Sequence, residues 1–347
     1  MDAILLQLLN GLDKGSAYAL IALGLTLIFG TLGVVNFAHG ALFMVGAFCA
    51  VTTQKILTAF KVTLDPEKTN FLGQPLEIKT PYVEIWFGDL GTSMIDYSVP
   101  LAIILAIPVT MLIGVIMERG LIRHFYSRPH ADQILVTFGL AIVMQEIVHK
   151  FFGANPVNMP APKSLDGSVD IGVILGFAEN AIIYPNWRLV YFFFAFVIIS
   201  AVFAFLRYTT FGMVIRAGME DRETVGLLGI NINKRFTFMF GLAAMVTGLA
   251  GVMYAPILSP NYHMGMDFLV ICFVVVVVGG MGSLPGAVAA GFLLGVLESF
   301  ASMPAVKDFF EVLYLPSIDQ IIIYLVAVIV LLTRPRGLMG RKGVMED

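Results

Sequence analysis

The chain has 347 residues, of which 58% are hydrophobic and only 13% charged, whereas soluble domains carry about 25% charged residues. With a mean hydropathy of +0.88, this composition excludes a soluble globular enzyme and marks an integral membrane protein. A formal net charge of -3 without a concentrated basic face excludes a nucleic-acid surface, because phosphate binding needs clustered cations.

The N-terminal MDAILLQLLNGLDKG has an acidic rather than a basic start and no small-residue cleavage site, so it is read as retained rather than as a signal peptide. Spans of roughly 20 apolar residues are predicted near 14–32, 38–58, 98–118, 133–153, 188–207, 236–256 and 318–333, the last short for a full crossing. Between 267 and 303 an apolar region is broken by GGMGSLPG at 279–286, which leaves two short spans or a hairpin of half-helices. The expected fold is all-α and membrane-embedded, a single domain over 1–347 with about eight to nine transmembrane or half-spanning helices.

Orientation follows from the basic residues, since cytoplasmic loops carry the Lys and Arg excess. The stretch ERGLIRHFYSRPHAD supplies Arg119, Arg123 and Arg128; the loop 207–235 supplies Arg207, Arg216, Arg222, Lys234 and Arg235; the tail supplies Arg334, Arg336, Arg341 and Lys342. All three are placed in the cytoplasm, which puts the N-terminus outside and the C-terminus inside. The insert 59–97, with three lysines against six acids, reads as an external loop or small subdomain, and the proline-rich 153–187 reads likewise. Small residues at four-residue spacing, Ala287, Gly291 and Gly295, and the pair Gly11 and Gly15, read as helix-packing stripes. Cys49 and Cys272 stand alone in apolar runs and read as packing residues.

Three stretches depart from the apolar background. In GTLGVVNFAHGALFMVGAF at 30–48, glycines flank Asn36, Phe37 and His39 between two spans. Unwound backbone at membrane depth is tolerated only where it is buried or lines a cavity, and broken helices recur at transport sites; the competing reading is a tight turn at the cytoplasmic edge with His39 bonded to a backbone carbonyl. VVVVVGGMGSLPGAVAAGFLLG at 274–295 repeats the design around Gly279, Gly280, Gly282 and Ser283. RAGMEDRETVGLLGIN at 216–231 concentrates Arg216, Glu220, Asp221, Arg222 and Glu223 ahead of Gly229. On a helix Arg216 and Glu220 would face each other, with Ala217, Val225 and Leu228 on another face, as in a short amphipathic surface helix. A solvated loop obeying the charge rule fits the same pattern.

Other chemistry is sparse. Glu146 is expected to pair with Lys150 near an outer helix end, His149 being the alternative in a proton relay; Glu298 has no assigned partner; no acid is expected nearer the midplane, where proton coupling would need one. Ser283 with His39 or His263 lacks a third member and an oxyanion site, so no enzyme is expected. No G-x-x-x-x-G-K-[ST] occurs, so the chain has no P-loop, needs no cofactor, and any ATP is bound by a partner.

Several segments together resemble the permease subunits of ATP-binding-cassette importers for branched-chain amino acids, the LivH-type family. They are GSAYALIALGLTLIFGTLGVVNFAHGALFMVGAF, FGMVIRAGMEDRETVGLLGINI, FGLAAMVTGLAGVMYAP, VVVVVGGMGSLPGAVAAGFLLGVLE and LLTRPRGLMG, in order over most of the chain. The resemblance implies the importer-permease fold in a bacterial cytoplasmic (inner) membrane, with 207–235 as the cytoplasmic coupling loop. It implies partners: ABC ATPase subunits, a second homologous permease and a periplasmic or extracellular solute-binding protein. Asn36, Phe37, His39, Gly279, Gly280, Gly282 and Ser283 are the expected lining of the substrate path. Relatives also resemble importers of urea and short-chain amides, and a stand-alone channel or secondary transporter is the alternative from another class.

Overall fold

The computed structural model describes residues 2–69, 75–174, 176, 182–220, 222–311 and 317–340, with backbone alone at 64–69, 75–76, 174, 220 and 222–223. In chain order, α1 (Asp2–Leu32) and α2 (His39–Leu57) lead into the insert. There β1 (Phe60–Thr69) pairs antiparallel with β2 (Pro75–Pro81), Phe60 opposite Pro81, followed by α3 (Tyr82–Phe87) and α4 (Asp89–Asp96). Next come α5 (Ser98–Gly120) and α6 (His130–Phe152), then a second outer segment in which β3 (Ser168–Asp170) and β4 (Ile183–Pro185) flank α7 (Ile171–Ile174). After α8 (Asn186–Tyr208) lie two short helices, α9 (Thr210–Glu220) and α10 (Arg222–Leu227). The chain closes with α11 (Ile232–Tyr254), α12 (Met264–Gly279), α13 (Leu284–Ala301), α14 (Pro304–Glu311) and α15 (Ile318–Thr333).

The helices sort by burial. α1 and α11 are buried over most of their length, whereas α5, α6 and α8 turn most of their apolar surface outward, toward lipid on the membrane reading. Because lipid gives apolar helices little reason to associate, close packing must hold the centre, and small residues supply it. The two glycine stripes face each other: a Cβ on Gly15 would stand 2.9 Å from Phe292 Cα, and one on Gly291 would stand 2.7 Å from Ala19 N. α1 and α13 therefore pack antiparallel with their backbones nearly touching. Cys272 is buried and Cys49 half-buried, both as free thiols.

The break at 279–286 is a four-residue turn between two antiparallel helices. At 1.5 Å per residue α12 and α13 are about 24 and about 27 Å long, close to the roughly 30 Å hydrocarbon core. Among the described residues seven helices are long and apolar enough to cross a membrane, α1, α2, α5, α6, α8, α11 and α13, and α12 and α15 are shorter apolar helices. The two outer segments add small hairpins to an otherwise helical protein.

Candidate functional site

α2 does not begin at the end of the bundle where α1 stops. His39, its first residue, is fully buried, and its Nε2 lies 2.6 Å from Thr247 Oγ1. Thr247 stands about 22 Å along α11 from Ile232, and Gly24, whose Cβ position the imidazole crowds, stands about 12 Å along α1 from Leu32. Residues 33–38 therefore climb back into the bundle from the end where α1 stops, and a tight turn at that edge is not what forms. The polar backbone freed by this climb finds partners: Phe37 N–H donates to Thr137 Oγ1 at 3.0 Å, Ala38 N–H to Asn36 Oδ1 at 3.0 Å, and His39 N–H to Asn36 O at 3.2 Å. Asn36 Nδ2 is buried without a hydrogen-bond partner among the described residues, a costly state for an amide. The Phe37 ring packs against Phe273 of α12 at 5.4 Å and Phe138 of α6 at 6.5 Å.

The second glycine-rich stretch lies elsewhere, at the end of the bundle where α1 stops. Ser283 caps α13, its Oγ accepting from Gly286 N–H at 3.2 Å, as N-cap serines do. Gly279 packs on Gly286, and Gly280, with φ +102, leaves no room for a side chain because Arg336 O would stand 2.8 Å from a Cβ there. The tail holds this turn by backbone bonds, Leu338 N–H to Val278 O at 2.8 Å and Met339 N–H to Gly279 O at 3.0 Å. Gly282 lies beside Gly30, where a Cβ on Gly30 would stand 3.6 Å from Gly282 Cα. The structure thus brings Asn36, Phe37 and His39 together part-way along the bundle and Gly279, Gly280, Gly282 and Ser283 together at the end where α1 stops, the two groups joined through α12 and the end of α1.

The charged loop is helical over Thr210–Glu220 and Arg222–Leu227. Arg216 is exposed and its Nη1 donates to the carbonyl of Leu206 in the last turn of α8, where a cation satisfies orphan carbonyls and the helix dipole. Its expected partner Glu220 is described by backbone only, as are Arg222 and Glu223, and Asp221 lies outside the described residues. Val225 is buried, while Met213, Leu227 and Leu228 stand exposed, Leu227 at 88%. Gly229, with φ +76, turns the chain into α11. Met219 Cε reaches within 2.8 Å of the Cβ position of Gly30, so the loop touches the end of α1 just before the re-entrant segment.

Sequence reasoning missed two buried acids, Glu118 and Asp13, and the partners of the half-buried Glu298. Glu118 is 1% exposed and accepts from Tyr126 Oη and Thr237 Oγ1, each at 2.8 Å. Glu298 accepts from Tyr18 Oη at 2.5 Å and pairs with Lys14 at 2.7 Å. Asp13, 2% exposed, faces Arg188 at 3.6 Å. Each lies within one or two turns of a predicted span end, where a hydropathy window cannot tell an interfacial charge from an enclosed one. Glu146 meets His149 at 3.4 Å rather than Lys150 among the described residues, on an exposed face.

A family model described as "Branched-chain amino acid transport system / permease component" matches residues 7–331. The high-affinity branched-chain amino acid transport system permease protein BraD of Pseudomonas aeruginosa is 29% identical over 344 residues, 97% of this chain and 96% of that protein. The corresponding LivH of Escherichia coli is 27% identical over 339 residues, again 97% and 96% of the two chains. The ribose import permease protein RbsC of Haemophilus influenzae is 25% identical over 255 residues, 70% and 72% of the two. No solved structure matches the chain. With the match running from the first turns of α1 to the end of α15, the chain belongs to the family of permease components of branched-chain amino acid transport systems.

Proposed function

We propose that this chain forms half of the translocation path of an ATP-binding-cassette importer for branched-chain amino acids in the cytoplasmic (inner) membrane. A second permease supplies the other half, separate ATPase subunits bind the ATP, and an external solute-binding protein delivers the substrate. The observation that carries this reading is the link from the cytoplasmic loop to the re-entrant segment. Exposed Leu227 and Leu228 offer an apolar surface to a partner, Arg216 ties the loop to α8, and Met219 rests on Gly30 only a few residues before Asn36.

A partner that presses on 210–228 moves α1 and with it the segment 33–39. Coupling requires the two ends of that lever to have two arrangements of different affinity for the partner, since only differential contacts shift an equilibrium. Asn36, Phe37 and His39 line the path at membrane depth, and the turn 279–283 with its tail clamp closes its cytoplasmic end. The test is uptake of radiolabelled leucine into proteoliposomes holding this chain with its partner subunits and binding protein. Uptake that needs ATP on the cytoplasmic side supports the reading; leucine flux by this chain without ATP or partners overturns it.

A further inference from the structure

At the outer end of the bundle lies a cavity of ≈ 320 Å³ between α1, α8, α13 and the end of α11, at the lower end of the range that holds small molecules. Its wall carries Asn10, Asp13, Lys14 and Arg188, with Ile257 and Leu258 forming an apolar side. Asp13 stands about 28 Å along α1 from Leu32, so the cavity sits near the outer edge of a core about 30 Å thick.

The charges in and beside this cavity are used unequally. Lys14 and Glu298 form a closed pair at 2.7 Å, completed by the Tyr18 hydroxyl at 2.5 Å. Asp13 and Arg188 form an open one: Arg188 Nη1 stands 3.6 Å from Asp13 Oδ2, beyond hydrogen-bond reach, and gives its bond at 3.3 Å to Asn10 Oδ1. Asp13 is only 2% exposed, and its Oδ1 is buried with no hydrogen-bond partner among the described residues. A buried carboxylate oxygen without a donor is unfavourable, and the donor it lacks is what an ammonium group supplies. The Arg188 guanidinium also hydrogen-bonds Tyr184, and the planar N–H fork of such a group has the shape that matches a carboxylate.

We propose that this cavity is an outer docking site for a zwitterionic amino acid, Asp13 receiving the α-ammonium, Arg188 the α-carboxylate, and Ile257 with Leu258 the aliphatic side chain. The assignment of this ligand class rests on the importer reading. The site would receive substrate on the outer side before it reaches Asn36 and His39 deeper in the membrane. Zwitterion and site are both balanced in charge, so binding leaves no net charge at the edge of the core, and a ligand carrying a single charge fills one half and leaves the other unpaired.

The test is equilibrium binding of radiolabelled leucine to the purified full chain in lipid nanodiscs. Competitors are 4-methylpentanoate, which lacks the ammonium, and isopentylamine, which lacks the carboxylate. Leucine should bind saturably, with each one-charge analogue about tenfold or more weaker, the factor of one unpaired charged hydrogen bond. Asp13→Asn should weaken leucine about tenfold and bring 4-methylpentanoate level with it; Arg188→Gln should do the same for isopentylamine. Leu258→Phe, at a side chain 41% exposed, adds bulk to the cavity wall without removing a charge and should weaken leucine. Absent saturable binding, equal competition by the one-charge analogues, or unchanged discrimination in folded Asp13→Asn overturns the proposal. ATP-driven leucine uptake by the reconstituted complex is measured in parallel: uptake without selective binding here defeats this site alone, whereas no uptake of any amino acid defeats the importer reading.

Discussion

His39 Nε2 and Thr247 Oγ1, separated by 208 residues in sequence and 2.6 Å in space, fix the first turn of α2 to the upper half of α11. The bond is buried on both sides, so neither group has water as an alternative. Thr247→Val keeps the shape and removes the hydroxyl, leaving the imidazole unsatisfied at a cost of about 1–3 kcal/mol. A lower unfolding midpoint in detergent and reduced leucine uptake are expected, and a midpoint equal to the parent would show that the pair does not hold the segment.

The seam between α1 and α13 predicts a contrast between glycines. Gly15→Leu or Gly291→Leu drives a side chain into the opposing backbone and should prevent accumulation of folded protein in the membrane. Gly139 of α6 has open space around its Cβ position, so Gly139→Ala should be tolerated and gain up to about 1 kcal/mol of helix stability. Expression level and thermal unfolding of the three variants check this.

The cytoplasmic loop separates docking from anchoring. Leu227→Asp with Leu228→Asp changes two exposed side chains and should abolish stimulation of the partner ATPase while leaving membrane insertion and thermal stability within about 0.5 kcal/mol of the parent. Arg216→Ala removes the tie to Leu206 and should lower both coupling and the stability of the loop, read as faster hydrogen exchange over 209–220. Full ATPase stimulation in the Leu227/Leu228 variant would remove this surface from the docking role.

Topology gives a prediction independent of transport. With Cys49 and Cys272 replaced by serine or alanine, Ser93→Cys in the outer insert and Met281→Cys in the exposed part of the glycine turn should react with an impermeant maleimide from opposite sides of the membrane. Labelling of both from the outside would place the 279–283 turn wrongly.

Much of this fold is legible in the sequence because a membrane span declares itself by length and apolarity. Each of the predicted spans overlaps one of the helices, and the basic segments at 119–128, 207–235 and 334–336 lie at one end of them. The glycine stripes are visible as spacing, yet nothing in the spacing says that Gly15 meets Phe292 or that Gly291 meets Ala19, since that is a property of the tertiary arrangement. The re-entrant course of 33–38 hides for the same reason: a short polar stretch between two spans looks alike whether it stays at the surface or climbs to Thr247. Asp13 and Arg188 hide because each sits where a charge at a helix end is ordinary, and only the folded chain shows that both face one cavity.

The central claim is that this chain works as one permease of a multi-subunit, ATP-driven importer. The most direct measurement is affinity purification of the tagged chain from its native membrane in mild detergent, with mass spectrometry of the stoichiometric companions and a leucine-flux assay of the purified particle in liposomes. The account predicts a P-loop ATPase and a second multispan permease in the particle, and flux only with ATP. A lone chain or homo-oligomer that carries leucine without ATP would contradict it.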